Sequence, residues 1–163
     1  MRYALFLGCK IPARLPAYEA STRAVLGHLG VTLVDLEFNC CGYPARSFSR
    51  DAFVVAAARN LALAEHAGLD ILTPCACCFG TLRHAIRFLG EDAELRARVT
   101  GALAAEGLVW SGTAVVEQLL SVLARRSVES LLAQRHQKFL SLGVFQEEEA
   151  RSKSLLQRLR EFF

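Results

Sequence analysis

The stretch Thr73-Pro-Cys-Ala-Cys-Cys-Phe-Gly80 is the most informative about the fold. It places three thiols at the point where a predicted strand ends and a predicted helix begins. Residues 69–73 are predicted to form a short buried strand, and residues 79–89 a helix with one apolar face. Pro74 cannot continue a strand, and it biases Thr73 towards an extended conformation. The carboxyl end of a strand, followed by a helix, is the usual ligand-binding edge of an open α/β sheet. The helix N-terminus there favours thiolate over thiol.

Two other segments carry thiols in the same kind of place. Cys9 follows the apolar residues 3–7, and Cys40-Cys41 follows the β-branched residues 31–36. Both apolar segments are predicted strands. Helices are predicted over residues 16–29 and over residues 50–66, the second with Ser49 as its N-cap. The order β-α-β-α-β-α predicts a parallel sheet whose first three strands bring their thiols to one point.

The rest of the chain completes an α/β fold. Residues 92–106 are predicted to be helical, residues 108–110 a fourth strand and residues 115–123 another helix, while residues 11–15 and 43–48 are predicted loops. The predicted fold is a three- to four-stranded, mostly parallel sheet with flanking helices. We expect a cysteine-rich domain over residues 1–124 and an amphipathic tail of two helices over residues 125–163.

Composition narrows the classes of function. The 163 residues are 53% hydrophobic and 21% charged, which is typical of a folded core. A net charge of +3 gives no support for a nucleic-acid binder. No apolar run approaches the roughly 20 residues that a membrane span needs. The apolar stretch at the N-terminus is too short for a convincing signal peptide, so we expect a cytoplasmic protein.

All six cysteines lie before the midpoint of the chain, and an adjacent pair suits a structural disulfide poorly. In a cytosolic protein, clustered cysteines more often bind metal or carry out redox chemistry. The pattern Cys9, Cys40-Cys41-Gly42, Cys75-x-x-Cys78 resembles the CCG (cysteine-rich) domain of the family of heterodisulfide reductase B subunits, in a single-domain form. The flanking features that carry the resemblance are Phe6-Leu-Gly-Cys9, Tyr18-Glu-Ala-Ser21, Leu29-Gly30, Asn39-Cys-Cys-Gly42, Arg59-Asn-Leu61 and Thr73-Pro-Cys-Ala-Cys-Cys78.

The resemblance implies an oxidoreductase subunit that binds a non-cubane [4Fe-4S] cluster and passes electrons to a disulfide substrate. Cys41 and Cys78 are the implied catalytic residues, while Cys77 falls outside the ligand set. Implied partners are a ferredoxin-like C-type subunit and a flavin-containing A-type subunit. Since the family's subunits carry two CCG domains and this sequence shows one, we also expect a second CCG subunit or a homodimer. The implied cluster ligands are Cys9, Cys40, Cys41, Cys75 and Cys78.

The residues themselves support a metal centre and leave alternatives open. Five cysteines exceed the four ligands of a structural zinc site, and neighbouring thiolates repel each other unless metal neutralises them. Gly42 is expected to let the backbone approach the cluster and to offer an N–H to a sulfur, and Lys10 and Arg46 to offset negative charge. One alternative is a non-catalytic zinc-binding or assembly module. Another is a thiol–disulfide oxidoreductase that uses Cys75 and Cys78 directly.

Overall fold

The structure is a computed structural model that describes residues 1–125 and 127–141. Residues 1–125 form one compact unit, and the described residues 127–141 belong to a second unit. The α/β fold class predicted from the sequence is confirmed. The strands are β1 (Arg2–Leu5), β2 (Thr32–Val34), β3 (Asp70–Thr73) and β4 (Val116–Gln118). The helices are α1 (Lys10–Arg14), α2 (Pro16–His28), α3 (Arg50–His66), α4 (Ala76–Glu91), α5 (Ala93–Ala104), α6 (Leu119–Ala124) and α7 (Val128–Ser141).

The described strands form one parallel sheet in the order β2-β1-β3-β4. Ala4 of β1 lies opposite Val34 of β2 and Ile71 of β3, and Ile71 lies opposite Val116 of β4. All four strands therefore point the same way, so their carboxyl ends share one edge of the sheet. The three thiol-bearing segments begin at the three strands on one side of this arrangement.

Alternation along the strands divides the core between the two faces of the sheet. Ala4 and Ile71 face the larger core, which α3, α4 and α5 cover. Tyr3 and Leu72 face a smaller core with Leu26 of α2. Each fully buried Leu or Phe stabilises the fold by about 1.5–3 kcal/mol. The larger core holds more of these side chains, so it contributes more to the stability of the sheet that carries the cysteines. Its largest buried side chains include Phe6, Phe53, Leu61, Leu82, Leu89 and Leu95.

The prediction for the fourth strand was wrong. Residues 108–110 are not a strand; β4 is Val116–Gln118, and the helix predicted over residues 115–123 is confined to α6. The cause is a set of tertiary contacts. Glu65, at the end of α3, accepts hydrogen bonds from the backbone N–H groups of Ser111 and Thr113, at 2.6 Å and 2.8 Å. These bonds fix the turn that delivers the next residues to the edge of β3.

Smaller differences concern the loops. The predicted loop over residues 11–15 contains α1, because Pro12 lies in a first turn that needs no N–H from it. The predicted loop over residues 43–48 contains a 3₁₀ helix, Tyr43–Ser47. Helix α4 begins at Ala76, three residues earlier than predicted, so Cys77 and Cys78 belong to its first turn. Ser49 is the N-cap of α3 as predicted, accepting from the N–H of Ala52 at 3.1 Å.

In the predicted tail, α7 is the described helix, and the second predicted helix lies outside the described residues. The division into a domain over residues 1–124 and a tail over residues 125–163 stays a prediction. No helix within residues 1–125 or 127–141 has the length and apolar character needed to cross a membrane.

Candidate functional site

Six cysteines lie in the three segments that follow β1, β2 and β3 at the carboxyl edge of the sheet. Cys9 is the N-cap residue of α1, just after β1. Cys40 and Cys41 lie in the irregular segment that follows β2. Cys75 is the N-cap of α4, just after β3, and all six thiols are free. The parallel sheet thus brings together segments that are far apart in the sequence.

The five thiols predicted as ligands form a continuous series of neighbours. Cys9 Sγ lies 3.8 Å from Cys40 Sγ. Cys41 lies close enough to Cys78 and Cys40 for both thiols to lower its pKa, and Cys75 Sγ accepts from the backbone N–H of Cys78 at 3.5 Å. The predicted convergence of these residues is therefore confirmed. Their role as cluster ligands stays a prediction, and no three Cys, His, Asp or Glu side chains in the described part of the chain are grouped so as to hold a single metal ion.

Burial and hydrogen bonding separate the charge states of the two innermost thiols. Cys41 is 3% exposed and Cys78 is 5% exposed. The hydrogen bond from Cys78 lowers the pKa of Cys41 to about 6, against the raising effect of burial, and the backbone N–H of Tyr43 lowers it further. The same bond and burial raise the pKa of Cys78. The pKa values of the two neighbouring thiols therefore shift in opposite directions, with Cys41 the one that favours the thiolate, and a thiolate is the form that binds metal.

The pKa of Cys40 is raised, mainly by burial. The backbone N–H of Gly42 opposes that rise by donating to the Cys40 sulfur. One part of the expectation for Gly42, an N–H directed at a sulfur, thus matches the structure. Backbone N–H groups from consecutive residues, Gly42 and Tyr43, reach two neighbouring sulfurs and stabilise negative charge there.

Cys77 differs from the other five cysteines. It is exposed in the first turn of α4. Its pKa is raised, first by burial and then by the negative charge of Cys75 and Cys41, while the positive charges of Arg46 and Lys10 lower it. Both cations therefore lie close enough to act on the Cys77 thiol; their expected role in offsetting the charge of the predicted ligands stays a prediction. The Arg46 guanidinium is held over the Phe53 ring, 5.6 Å from its centroid.

Two glycines shape the floor of the cysteine cluster. Gly8 has φ +69°, and a Cβ on it would lie 2.6 Å from Cys78 Sγ. Gly42 has φ +88°, and a Cβ on it would lie 2.6 Å from the backbone oxygen of Phe53. The close approach at Gly42 is therefore to helix α3, a reason for glycine that the sequence interpretation did not include.

Sequence reasoning missed the polar side chains that hold the cysteine loops. Thr73 Oγ1 accepts from the backbone N–H of Cys75 at 3.2 Å, and the Tyr18 hydroxyl donates to the Pro74 carbonyl at 3.4 Å. Asn60, for which the sequence suggested no role, is 0% exposed and is bonded to the backbone next to Cys40. The sequence did contain a signal for this role, because Asn60 is an amide side chain among the alanines and leucines of the inward face of α3.

Comparison with known proteins points to one family. Residues 3–83 match the family model of the cysteine-rich domain CCG. All six cysteines lie inside the matched range. Over 125 residues the chain is 37% identical to the B subunit of the ferredoxin/F(420)H(2)-dependent CoB-CoM heterodisulfide reductase of Methanosarcina acetivorans, covering 75% of this chain and 42% of that protein.

Other relatives extend the comparison. A protein of Archaeoglobus profundus that is named as similar to the heterodisulfide reductase B subunit is 36% identical over 126 residues, 76% of this chain and 42% of that protein. The 8-methylmenaquinol:fumarate reductase membrane anchor subunit of Wolinella succinogenes is 36% identical over 131 residues, 79% of this chain and 45% of that protein. The chain thus spans less than half the length of these relatives.

A solved structure has a similar fold. The crystal structure of a hypothetical protein from Helicobacter pylori superposes with a TM-score of 0.63 at 25% sequence identity. The similarity covers 71% of this chain and 24% of that one.

The contact between Cys9 and Cys40 generates a first prediction. Mild oxidation of the reduced, metal-free protein with diamide should form a Cys9–Cys40 disulfide first, because their sulfurs are already 3.8 Å apart and a disulfide needs about 2.05 Å. Non-reducing peptide mapping by mass spectrometry identifies the pair. Cys77→Ser is the control and should leave the product unchanged. Predominant pairing of Cys9 with Cys77 would contradict the geometry.

The position of Gly8 generates a second testable prediction. Gly8→Ala should force Cys78 out of its buried position, because the new Cβ would meet its sulfur at 2.6 Å. Alkylation of Cys78 in the folded, metal-free protein should become faster, and the urea midpoint should fall.

Gly30→Ala is the matched control for this variant. Gly30 has a similar φ of +72° but nothing within 4 Å, so Gly30→Ala bears only the left-handed backbone cost of about 1–2 kcal/mol. Equal stability loss and equal Cys78 alkylation in the two variants would show that the Gly8–Cys78 contact has no effect.

Proposed function

Since the chain belongs to the CCG cysteine-rich domain family, we propose that it is an iron–sulfur oxidoreductase subunit that carries electrons to a disulfide substrate. The observation that carries the proposal is the series of five neighbouring thiols drawn from three strand ends, all inside the matched region. The similarity to proteins named after the B subunit of heterodisulfide reductase supports the same class of chemistry.

The donor set fits an iron–sulfur cluster. The side chains that meet at the site are thiols, which are the usual ligands of such clusters. Five of them exceed the four ligands of a structural zinc site. Cys41 already favours the thiolate form, and the N–H groups of Gly42 and Tyr43 donate to sulfurs. Outer hydrogen bonds of this kind orient ligands and tune the bound group.

We propose that a non-cubane [4Fe-4S] cluster is held by the five predicted ligands. When bound, such a cluster supplies one-electron transfer. The chain's own part is to supply thiolates and to keep Cys41 and Cys78 buried as the residues nearest the chemistry. Lys10 and Arg46, whose positive charges act on the adjacent Cys77, would offset the negative charge of the ligands. The ligand set is Cys9, Cys40, Cys41, Cys75 and Cys78.

The partners belong to the proposal as well. The relatives are named as subunits of larger enzymes, one of them ferredoxin-dependent. We propose a ferredoxin-like C-type subunit as electron donor, a flavin-containing A-type subunit, and a second CCG domain from another polypeptide or a second copy of this chain. The site offers a surface for such contacts, because Cys9 and Cys77 are exposed and Tyr43, whose backbone N–H acts on Cys41, is 52% exposed.

Metal analysis of protein purified without oxygen tests the proposal. We expect about four irons per chain with acid-labile sulfide. Cys41→Ser should lose most of the iron, since it removes the buried thiolate, whereas Cys77→Ser should retain it, since Cys77 lies outside the series. Protein that holds zinc and no sulfide would instead support the non-catalytic zinc-binding or assembly module.

Electron transfer to a disulfide gives a separate test. Cluster-loaded protein, reduced with dithionite and freed of it by gel filtration, should be reoxidised by oxidised glutathione. Each disulfide accepts two electrons and two protons and yields two thiols, so two reduced chains should be consumed per disulfide. Visible absorbance and thiol titration follow the two sides of the reaction. Cys77→Ser is the control, because it removes the exposed thiol outside the ligand series. If both the wild-type protein and this variant stay reduced for hours, the result would contradict disulfide reduction and leave only a cluster-binding role.

A further inference from the structure

Asn60 is a polar side chain sealed inside an apolar helix face. It lies in α3 between Ala57 and Ala64, which are themselves fully buried, and its own exposure is 0%. A buried amide is costly to leave without hydrogen-bond partners. Asn60 makes three hydrogen bonds, and two of them go to the loop that carries Cys40 and Cys41.

The bonds of Asn60 hold the backbone on both sides of one peptide link. Its Oδ1 accepts from the N–H of Asn39 at 2.9 Å, and its Nδ2 donates to the carbonyl of Cys40 at 3.1 Å. The second hydrogen on Nδ2 goes to the Ala56 carbonyl of its own helix, at 2.9 Å. Both donors and one acceptor site are used, so the amide has one favourable orientation.

The neighbouring residue acts on the same loop from the surface. The Arg59 guanidinium donates to the backbone carbonyl of Glu37 at 3.2 Å and pairs with Glu106 at 2.7 Å. Residues 35–41 form neither helix nor strand. Arg59 and Asn60 therefore supply hydrogen bonds to the backbone of this segment, as a neighbouring strand does in a sheet.

The bond to the Cys40 carbonyl has a consequence for the sulfurs. In a trans peptide the C=O and the following N–H point in opposite directions. With its C=O directed at α3, the peptide after Cys40 turns its N–H away from that helix. The next two N–H groups, of Gly42 and Tyr43, reach the sulfurs of Cys40 and Cys41.

We propose that Asn60, assisted by Arg59, is the positioning residue of the site: it holds the Cys40–Cys41 backbone so that both thiols and the N–H groups that serve them are arranged before any group binds. The nature of the bound group rests on the proposed function, but the positioning does not. Asn60 touches no reacting atom and acts through Cys40 and Cys41.

The first test uses metal-free protein and depends on no cluster. Asn60→Ala should slow diamide-induced formation of the Cys9–Cys40 disulfide several-fold and spread the products over other pairs, because the loop is released from α3. Asn60→Asp keeps the acceptor but loses both donors, so it should show the same direction of change. Leu103→Ala, a cavity variant in the buried face of α5, is the control that lowers the unfolding midpoint without altering which cysteines pair.

The second test uses cluster-loaded protein. Loss of a group that orients ligands typically costs about 10- to 100-fold in metal affinity, so iron release to a chelator should accelerate in Asn60→Ala but not in Leu103→Ala. Fewer N–H bonds to the sulfurs should also shift the midpoint potential to more negative values and change the electron paramagnetic resonance spectrum.

These outcomes separate the two proposals. A wild-type protein without iron but with altered cysteine pairing in Asn60→Ala would overturn the cluster and keep the positioning role. Unchanged pairing in Asn60→Ala and Asn60→Asp would overturn the positioning role. If neither Asn60 variant folds, Arg59→Ala decides, because it removes the bond to Glu37; Glu106→Gln, which weakens the ion pair but leaves that bond, is its control. Unchanged pairing in Arg59→Ala would then overturn the proposal.

Discussion

The parallel alignment of β2, β1 and β3 is the constraint on which the site depends. The register between the strands places Ala4 beside Val34 and Ile71. Each of the three strands therefore ends at the same edge of the sheet. A shift of one strand by a single residue would turn its buried side chains to the other face, and the core under α3 to α5 opposes that shift. The thiols meet because the hydrophobic core fixes where the strands end.

Bringing thiols together creates an electrostatic problem that the protein resolves locally. The pKa of Cys41 is lowered and that of the neighbouring Cys78 is raised, so the two buried thiols do not favour ionisation together. Backbone N–H groups of Gly42 and Tyr43 stabilise sulfur charge, and Arg46 and Lys10 act from the surface. These polar contacts give the site the negative sulfur charge that the metal group proposed above would need. The arrangement also needs a fixed backbone, and the buried Asn60 is hydrogen-bonded to that backbone.

Sequence patterns predicted the elements that rest on local physics. Ser49 was identified as an N-cap because a serine before an apolar helix has a local partner, and α3 begins where expected. The fourth strand was misplaced because its position depends on Glu65, whose carboxylate fixes the turn near Ser111 from 46 residues away. The reason for Gly42 was incomplete for a similar cause, since the oxygen of Phe53 that excludes a side chain belongs to another element.

The sequence by itself determined the class of fold, the six thiols and their family pattern, because hydrophobic periodicity and residue spacing are written along the chain. It also determined that five thiols would follow three strand ends. Only the tertiary structure decided which sulfurs are neighbours, that the pKa of Cys41 is lowered while that of Cys78 is raised, and that Asn60 holds the loop. Those outcomes depend on distances across space between residues that are remote in sequence, and local preference carries no information about such distances.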